Sequence, residues 1–372
     1  MKTVYLDNSA TSFPKPKRVS SALLKCVNEF CANPGRSAHT LSFMASDAVY
    51  KAREEVGSIL CNAPPENICF TQNATHALNI AIKGLVNHKC HCIISDVEHN
   101  ALLRPLLKLC HTLGVSYSVY NSDLSPEESI PPLIENDTEF ILTSIASNVT
   151  GRVIDINALS RISRKYGLCL ILDASQYIGH LPFTLSAGEY DALCAPGHKA
   201  LFGIPGSGFL AFGSKIKADT LIEGGAGTDS KSTEMPELLP ERFEAGTLST
   251  PAIVTLSEGI RFLHDYGEEN VEKKLRFLTE EAKIRISSLS KIKILGAENG
   301  ILCFNVNGVG SETVGRALDG HGICVRAGLH CAPMAHKKMG TENGGAVRAS
   351  FSVFNNIKDV DALYKALRYF VK

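Results

Sequence analysis

Neither sign of charge dominates this sequence: Lys+Arg and Asp+Glu number 38 each among 372 residues. A net charge of zero removes the electrostatic case for nucleic acid or an anionic membrane as the main partner, and leaves a small-molecule substrate. No uninterrupted apolar run approaches the ~20 residues that a membrane span needs. Met1-Lys2-Thr3 leads straight to polar Asp7-Asn8-Ser9, so the basic start and apolar core of a secretory signal are missing. The twelve cysteines contain no C-x-x-C pair, which removes the usual spacing for structural zinc or a redox couple. Most sit in apolar runs instead, as Cys169 does within residues 168–172, where a free thiol behaves as a small hydrophobe. These absences point to a reducing, cytoplasmic setting. Repeats and low-complexity tracts are absent too.

What is present is a chain with 44% apolar residues, enough for one large α/β domain and a smaller companion. Short β-branched runs at 68–71, 92–95, 116–120, 140–144, 168–173, 192–195 and 209–212 predict seven strands. Helix-length segments alternate with them. Residues 101–112 carry apolar side chains at helical spacing, and 156–166 are bounded by Asp155 and Gly167. The β-α-β-α order, with runs apolar on both faces, predicts a mostly parallel seven-stranded sheet with helices on both faces. After about residue 256 the texture changes. A charged helix over 259–289, a strand at 301–306, a helix at 311–318 and a terminal helix at 360–371 predict a smaller α+β domain. The expected division is 15–258 for the large domain and 259–372, with 1–14, for the small one.

Ligands of open parallel sheets bind beyond the carboxyl ends of the strands, so the polar residues that follow each run are the candidates. Asp173 ends the run 168–172. It is either a helix cap or a carboxylate that keeps a heteroaromatic nitrogen protonated in a dry site. Lys199, in Pro196-Gly197-His198-Lys199, follows a strand and precedes the glycine-rich turn 203–208. Desolvated there, it would be an imine-forming nucleophile rather than a solvated charge. Thr71-Gln72-Asn73-Ala74-Thr75-His76 opens a helix, whose first N–H groups and Thr hydroxyl suit a phosphate. His99 follows another strand; its ring is either structural or placed to stack on an aromatic cofactor and shuttle a proton.

Ten segments in order carry a resemblance. They are Tyr5-Leu6-Asp7-Asn8-Ser9-Ala10-Thr11, Asn33-Pro34-Gly35-Arg36-Ser37-Ala38-His39, Ala74-Thr75-His76, Glu98-His99-Asn100 and Ser147-Asn148-Val149-Thr150-Gly151. After these come Asp173-Ala174-Ser175-Gln176, Gly197-His198-Lys199, Arg242-Phe243-Glu244-Ala245-Gly246-Thr247, Val325-Arg326-Ala327-Gly328-Leu329-His330-Cys331-Ala332 and Val347-Arg348-Ala349-Ser350-Phe351. With them the chain resembles the cysteine desulfurase and selenocysteine lyase family of class V aminotransferase-like, fold-type I pyridoxal phosphate enzymes. The resemblance implies pyridoxal 5'-phosphate held by Lys199 as a Schiff base, with Asp173 on the pyridine nitrogen, Gln176 on the phenolic oxygen and His99 stacked on the ring. It implies Ala74, Thr75 and His198 around the phosphate, and Thr247 reaching the cofactor of a partner copy in a homodimer. Asn148 and Arg348, with Arg326 nearby, are implied as the clamp on the substrate carboxylate.

The short Arg-x-Gly-x-His-Cys-Ala form resembles the family's short-loop group, and implies Cys331 as the residue that becomes a persulfide. Its neighbours Arg326, Gly328 and His330 make an electropositive, flexible setting that favours a thiolate. The implied reaction is removal of sulfur from L-cysteine, giving L-alanine and a persulfide on Cys331 that a small sulfur-acceptor protein collects. Selenocysteine lyase, cysteine sulfinate lyase and class V aminotransferase are the alternatives on the same scaffold; a relay protein that had lost catalysis would lack Lys199, Asp173 or His99. The chain departs from the family pattern at Pro196, where a serine usually adds a hydroxyl to the phosphate. It departs again at Ala200-Leu201-Phe202, where a tyrosine is usual. The glycine-rich loop 223–228 is expected to bear on substrate identity.

Overall fold

The computed structural model describes residues 3–35, 37–213, 217–228 and 230–370. Arg36 of the 33–39 motif lies outside the described residues, as does position 371 of the expected terminal helix.

Strand β1 (Val4–Tyr5) opens the chain. Seven strands then build one sheet: β2 (Ile68–Thr71), β3 (His91–Ser95), β4 (Ser116–Tyr120), β5 (Thr138–Ser144), β6 (Cys169–Asp173), β7 (Ala192–Pro196) and β8 (Gly208–Phe212). Their spatial order is β2-β8-β7-β6-β5-β3-β4, and β8 alone runs against the other six. Central strands such as β3 and β7 are buried at every residue, as expected where helices cover both faces. The sheet is the mostly parallel one that the alternating pattern predicts.

Helix Ile156–Tyr166 shows how local chemistry sets the boundaries. Asp155 Oδ1 accepts from the N–H groups of Asn157 and Ala158, and Gly167 ends the helix at φ +67°. The charged stretch expected as one helix over 259–289 is two, Thr250–Tyr266 and Glu268–Ser287. Gly267 separates them at φ +86°, a conformation that only glycine adopts without strain.

The C-terminal part holds a four-stranded antiparallel sheet that the sequence reading found only in part. Strand β9 (Ile292–Glu298) pairs with β10 (Ile301–Val306) through the two-residue turn Asn299-Gly300, both at positive φ. An Asn-Gly pair between apolar runs is a strong hairpin signal, and it marks β9 in retrospect. Strand β11 (Ile323–Cys324) lies beside β1 in parallel, and β12 (Arg326–Gly328) and β13 (Ala346–Ser350) complete the antiparallel sheet in the order β12-β13-β10-β9. The amino-terminal segment is therefore built onto the carboxyl-terminal part: β1 lies on β11, and Asp7 bridges to Ser350. The terminal helix starts at Ile357, three residues before the expected position, on an Asn356 capping box.

Candidate active site

The carboxyl ends of β2, β3, β5, β6 and β7 meet one cavity of about 210 Å³. Asp173 is the last residue of β6, and Ser144 ends β5. His99 caps helix Asn100–Leu113 just beyond β3, and Asn73 caps helix Ala74–Leu85 just beyond β2. Lys199 follows β7. Of the residues expected in the site, Ala74, Thr75, His99, Asn148, Asp173, Gln176, His198, Lys199, Arg326, Cys331 and Arg348 all line this cavity. Thr247 does not; it is exposed elsewhere. Loop 223–228 likewise lines other, open hollows.

Lys199 is surrounded by protein but open to the cavity. Burial lowers its pKa to about 8, against the pull of the Asp173 carboxylate, with Arg348 and Arg326 adding to the lowering. A fraction of the amine is thus neutral near physiological pH, as a nucleophile or base requires. Its loop is held from the amino-terminal segment. The His198 carbonyl accepts from Thr11 Oγ1 at 3.0 Å, Ser12 N and Oγ at 3.2 Å, and Lys15 Nζ at 2.8 Å. Lys15 is itself partly desolvated, which lowers its pKa to about 8. No local signal marks this strap, because residues 183–187 positions apart meet only in the fold.

His99 Nδ1 accepts from the Ala101 N–H at 3.0 Å, which places the proton of the neutral ring on Nε2. Burial lowers its pKa to about 4, with Asp173 opposing and Lys199 reinforcing the shift, so the ring is neutral at pH 7. Beneath it lies Glu98, fully buried and not foreseen as part of the site. Its carboxylate accepts from the N–H and hydroxyl of Ser95 and from the N–H and hydroxyl of Ser144. Burial still raises its pKa to about 7. Glu98 therefore ties the ends of β3 and β5 together under His99. Glu98→Ala leaves two backbone N–H groups and two hydroxyls without that acceptor, and should lower unfolding free energy by about 2–5 kcal/mol. Glu98→Gln keeps an acceptor oxygen for the N–H groups and should restore most of the loss in thermal or urea melts. Equal melting of Ala and Gln variants would count against this role.

The far wall comes from the small sheet. Register places Arg326 of β12 opposite Arg348 of β13. Like charges facing each other in a ladder are unfavourable unless an anion is to be bound. Arg348 is buried, which lowers its pKa, and Asp7 opposes this from 3.0 Å. A second Arg348 nitrogen donates to the Asn148 carbonyl at 2.7 Å, and Nε has no partner among the described residues. Asn148 Nδ2 donates to the His330 carbonyl at 2.7 Å, while its Oδ1 has no partner among the described residues. Asn148 thus also braces the cysteine turn.

His330 and Cys331 both have positive φ, +51° and +56°. For non-glycine residues this costs about 1–2 kcal/mol each, and it persists only where the surroundings impose it. Here Asn148 holds one carbonyl and the Asn100 N–H holds the Cys331 carbonyl at 2.8 Å. The buried His330 ring meets His336 Nε2 at 3.2 Å. Cys331 itself is exposed at the cavity mouth.

The cavity fits a phosphorylated pyridine aldehyde. The helix start at Ala74 and Thr75 offers an anion seat, since the first turn of a helix leaves N–H groups without intrahelical partners. Gln176 Oε1, His198 Nδ1 and Ser9 Oγ are buried polar atoms with no partner among the described residues, and all three residues line the cavity. Gln176 Nε2 donates to the Ser9 carbonyl at 2.9 Å and retains a second hydrogen for a phenolic oxygen. Pro196 lines the cavity and brings no hydroxyl. The glycine-rich turn 203–208 does not line the cavity; a Cβ on Gly208 would lie 2.8 Å from the Asn73 Cα, so this turn packs under the helix start. Phe202 is buried at φ +59° against Phe262 and Phe354.

Among the described residues no cluster of metal-binding side chains occurs, and no helix is long and apolar enough to cross a membrane. The sequence matches the class-V aminotransferase family model over residues 4–363. It is 32% identical to a probable cysteine desulfurase of Methanothermobacter thermautotrophicus, over 98% of this chain and 94% of that protein. Among solved structures, the apo cysteine desulfurase from Thermococcus onnurineus NA1 superposes with a TM-score of 0.90 at 27% identity, covering 99% of this chain and 94% of that one. The Escherichia coli cysteine desulfurase CsdA, solved as an S-sulfonic acid, gives 0.88 at 26% identity over 99% and 94%.

Proposed function

The chain belongs to the class-V aminotransferase family, and from that premise we propose that it is a pyridoxal phosphate-dependent cysteine desulfurase whose sulfur acceptor is Cys331. The observation that carries the choice of reaction is the exposed Cys331, held in a strained, over-determined turn at the mouth of the cavity that contains Lys199. An aminotransferase has no use for a thiol there, and the named relatives are cysteine desulfurases rather than the alternative lyases.

Lys199 would hold the cofactor, Ala74, Thr75 and His198 its phosphate, Asp173 its ring nitrogen, Gln176 its phenolic oxygen and His99 its face. When bound, the group draws away the electrons released at the substrate α-carbon. Arg348, with Arg326 beside it and the Asn148 amide, orients the substrate carboxylate. Lys199, once free and neutral, takes the α-proton. The Cys331 thiolate attacks the substrate sulfur, the substrate Cβ–S bond breaks with its electrons passing to carbon, and a proton completes the methyl of L-alanine. Cysteine and the Cys331 thiol thus become alanine and a Cys331 persulfide with no external oxidant. The persulfide then passes to a sulfur-acceptor protein.

Brief exposure of the cofactor-loaded protein to L-cysteine should add the mass of one sulfur to the peptide containing Cys331. Alanine release without that adduct, in the absence of any acceptor, would remove Cys331 from the reaction.

The same reading includes a homodimer and a division at 15–258 and 259–372, with 1–14 counted among the latter. Pairing of β1 with β11 supports the division. For the dimer, Thr247 lies outside its own cavity, and its neighbours Gly246 and Leu248 line a second hollow with Asn33, Pro34 and Gly35. Exposed Phe43, Met44 and Tyr50 on the adjoining helix Thr40–Glu55 support a covered surface there. A single-chain mass in sedimentation equilibrium would remove it. The cytoplasmic setting read from the sequence belongs to the same proposal.

A further inference from the structure

The turn that carries Cys331 is followed by helix Pro333–Met339, and one side chain of that helix leaves the small-sheet part of the chain altogether. Lys338 Nζ lies 2.8 Å from Asp96 Oδ2 and 2.9 Å from Asp123 Oδ2. It also donates to Asn121 Oδ1 and Ser122 Oγ, each at 3.1 Å. All four oxygens belong to the loops just beyond β3 and β4. The loops are joined to each other, because Asp96 Oδ1 accepts from Ser122 N and Asp96 N donates to the Tyr120 carbonyl. Arg152, 3.6 Å from Asp123, balances the second carboxylate.

The loop after β3 is also the one that presents His99 and gives the Asn100 N–H to the Cys331 carbonyl. Cys331 is therefore flanked by attachments to one and the same loop, a backbone bond at the turn and a cation seven residues on. Two consecutive non-glycine residues at positive φ need such external constraint to keep one geometry. We propose that Lys338 is a positioning residue: it latches the Cys331 turn over the cavity, so that the thiol is aimed at the substrate sulfur. The inference rests on the persulfide reading of Cys331. It concerns sulfur transfer only, since proton removal at the α-carbon uses Lys199, which stands on the loop after β7 and not on the Cys331 turn.

That separation supplies the test. In Lys338→Met, alanine formation from L-cysteine should fall at least tenfold in kcat. Exchange of the α-proton of L-alanine in D2O should stay within about twofold of the parent protein, because it requires no thiol. Amide hydrogen exchange of the 326–340 peptide, read by mass spectrometry on cofactor-free protein, should speed up. Lys338→Arg should recover most of the loss. Because the ammonium is partly exposed, the parent kcat should decline as salt rises from ~0.05 to ~0.5 M, and the Met variant should lose that dependence. Asp123→Asn removes one of the two carboxylates and should show the same split at smaller size, which keeps the test open if Lys338→Met folds badly. Unchanged kcat, or a loss shared equally by α-proton exchange, overturns the latch. Cys331→Ala run alongside separates the two ideas: if it retains turnover, the persulfide reading has failed, whereas its loss beside a normal Lys338→Met rejects the latch alone.

Discussion

Lys199→Ala is expected to abolish turnover of L-cysteine and, at the same time, the visible absorption of the cofactor-loaded protein. The residue has two functions in the proposed reaction, anchor and base, and the base alone is worth about 10²–10⁴ in rate. No neighbour can take its place. His99 is neutral, but its Nδ1 is committed to the Ala101 N–H. Lys15 reaches the His198 carbonyl and does not line the cavity. A variant that still turned over cysteine within tenfold of the parent would contradict the assignment.

Removing the Lys199 ammonium also has a stability signature, of opposite sign. In the folded chain the Lys199 pKa is about 8 rather than the ordinary lysine value of 10.5, chiefly because the ammonium is desolvated. The folded state therefore binds fewer protons than the unfolded chain between about 8 and 10.5. Stability rises with pH through that window, and below it the buried ammonium carries its full penalty. At 1.36 kcal/mol per unit this amounts to about 3 kcal/mol, reduced to roughly 2–3 because the side chain is open to the cavity. Cofactor-free Lys199→Met should accordingly be more stable than the parent at pH 7 and lose that advantage above about pH 10.5. Urea melts at pH 7 and at the highest pH the fold tolerates would read this, and an advantage that grew with pH would show the sign to be wrong.

Cys331→Ala should remove alanine and persulfide formation together, by at least about a hundredfold, as expected when a nucleophile is deleted. Visible absorption should remain, because no cofactor-holding residue is touched. α-Proton exchange should also persist, since Lys199 and His99 stay in place. The eleven other cysteines offer no substitute: Cys331 alone among them lines the cavity, and Cys31, the other exposed one, does not. Cys331→Ser would keep the turn, its two positive-φ residues and its hydroxyl-sized side chain, and should be as inactive as alanine. If serine retained activity, the group would be acting as a hydrogen-bond donor rather than as a sulfur acceptor.

Local signals in the sequence determined a good deal. Apart from the edge strand β4, which is mostly exposed, the strands of the main sheet are largely apolar runs buried on both faces, and such runs are readable because burial on two sides leaves little room for polar residues. Caps and stops such as Asp155 and Gly167 act within a few residues of themselves. The identities of Lys199, Asp173, His99 and Cys331 were legible for a related reason: each follows an apolar run or sits in a segment resembling a known family, and the tertiary structure brings all four to one cavity.

Only the tertiary structure decided what supports them. Glu98 joining β3 to β5, the Thr11–Ser12–Lys15 strap on the His198 carbonyl, and Lys338 among Asp96, Asn121, Ser122 and Asp123 each link segments far apart in sequence. Charged and hydroxyl side chains of this kind look in sequence like any solvated surface, and acquire their role only when the chain closes and removes water from around them. The Asn299-Gly300 hairpin was legible in principle, whereas the break at Gly267 was not, because a glycine inside an amphipathic run bends a helix only when packing on both sides requires it. The reacting groups were thus set by local sequence, and their alignment by long-range contacts.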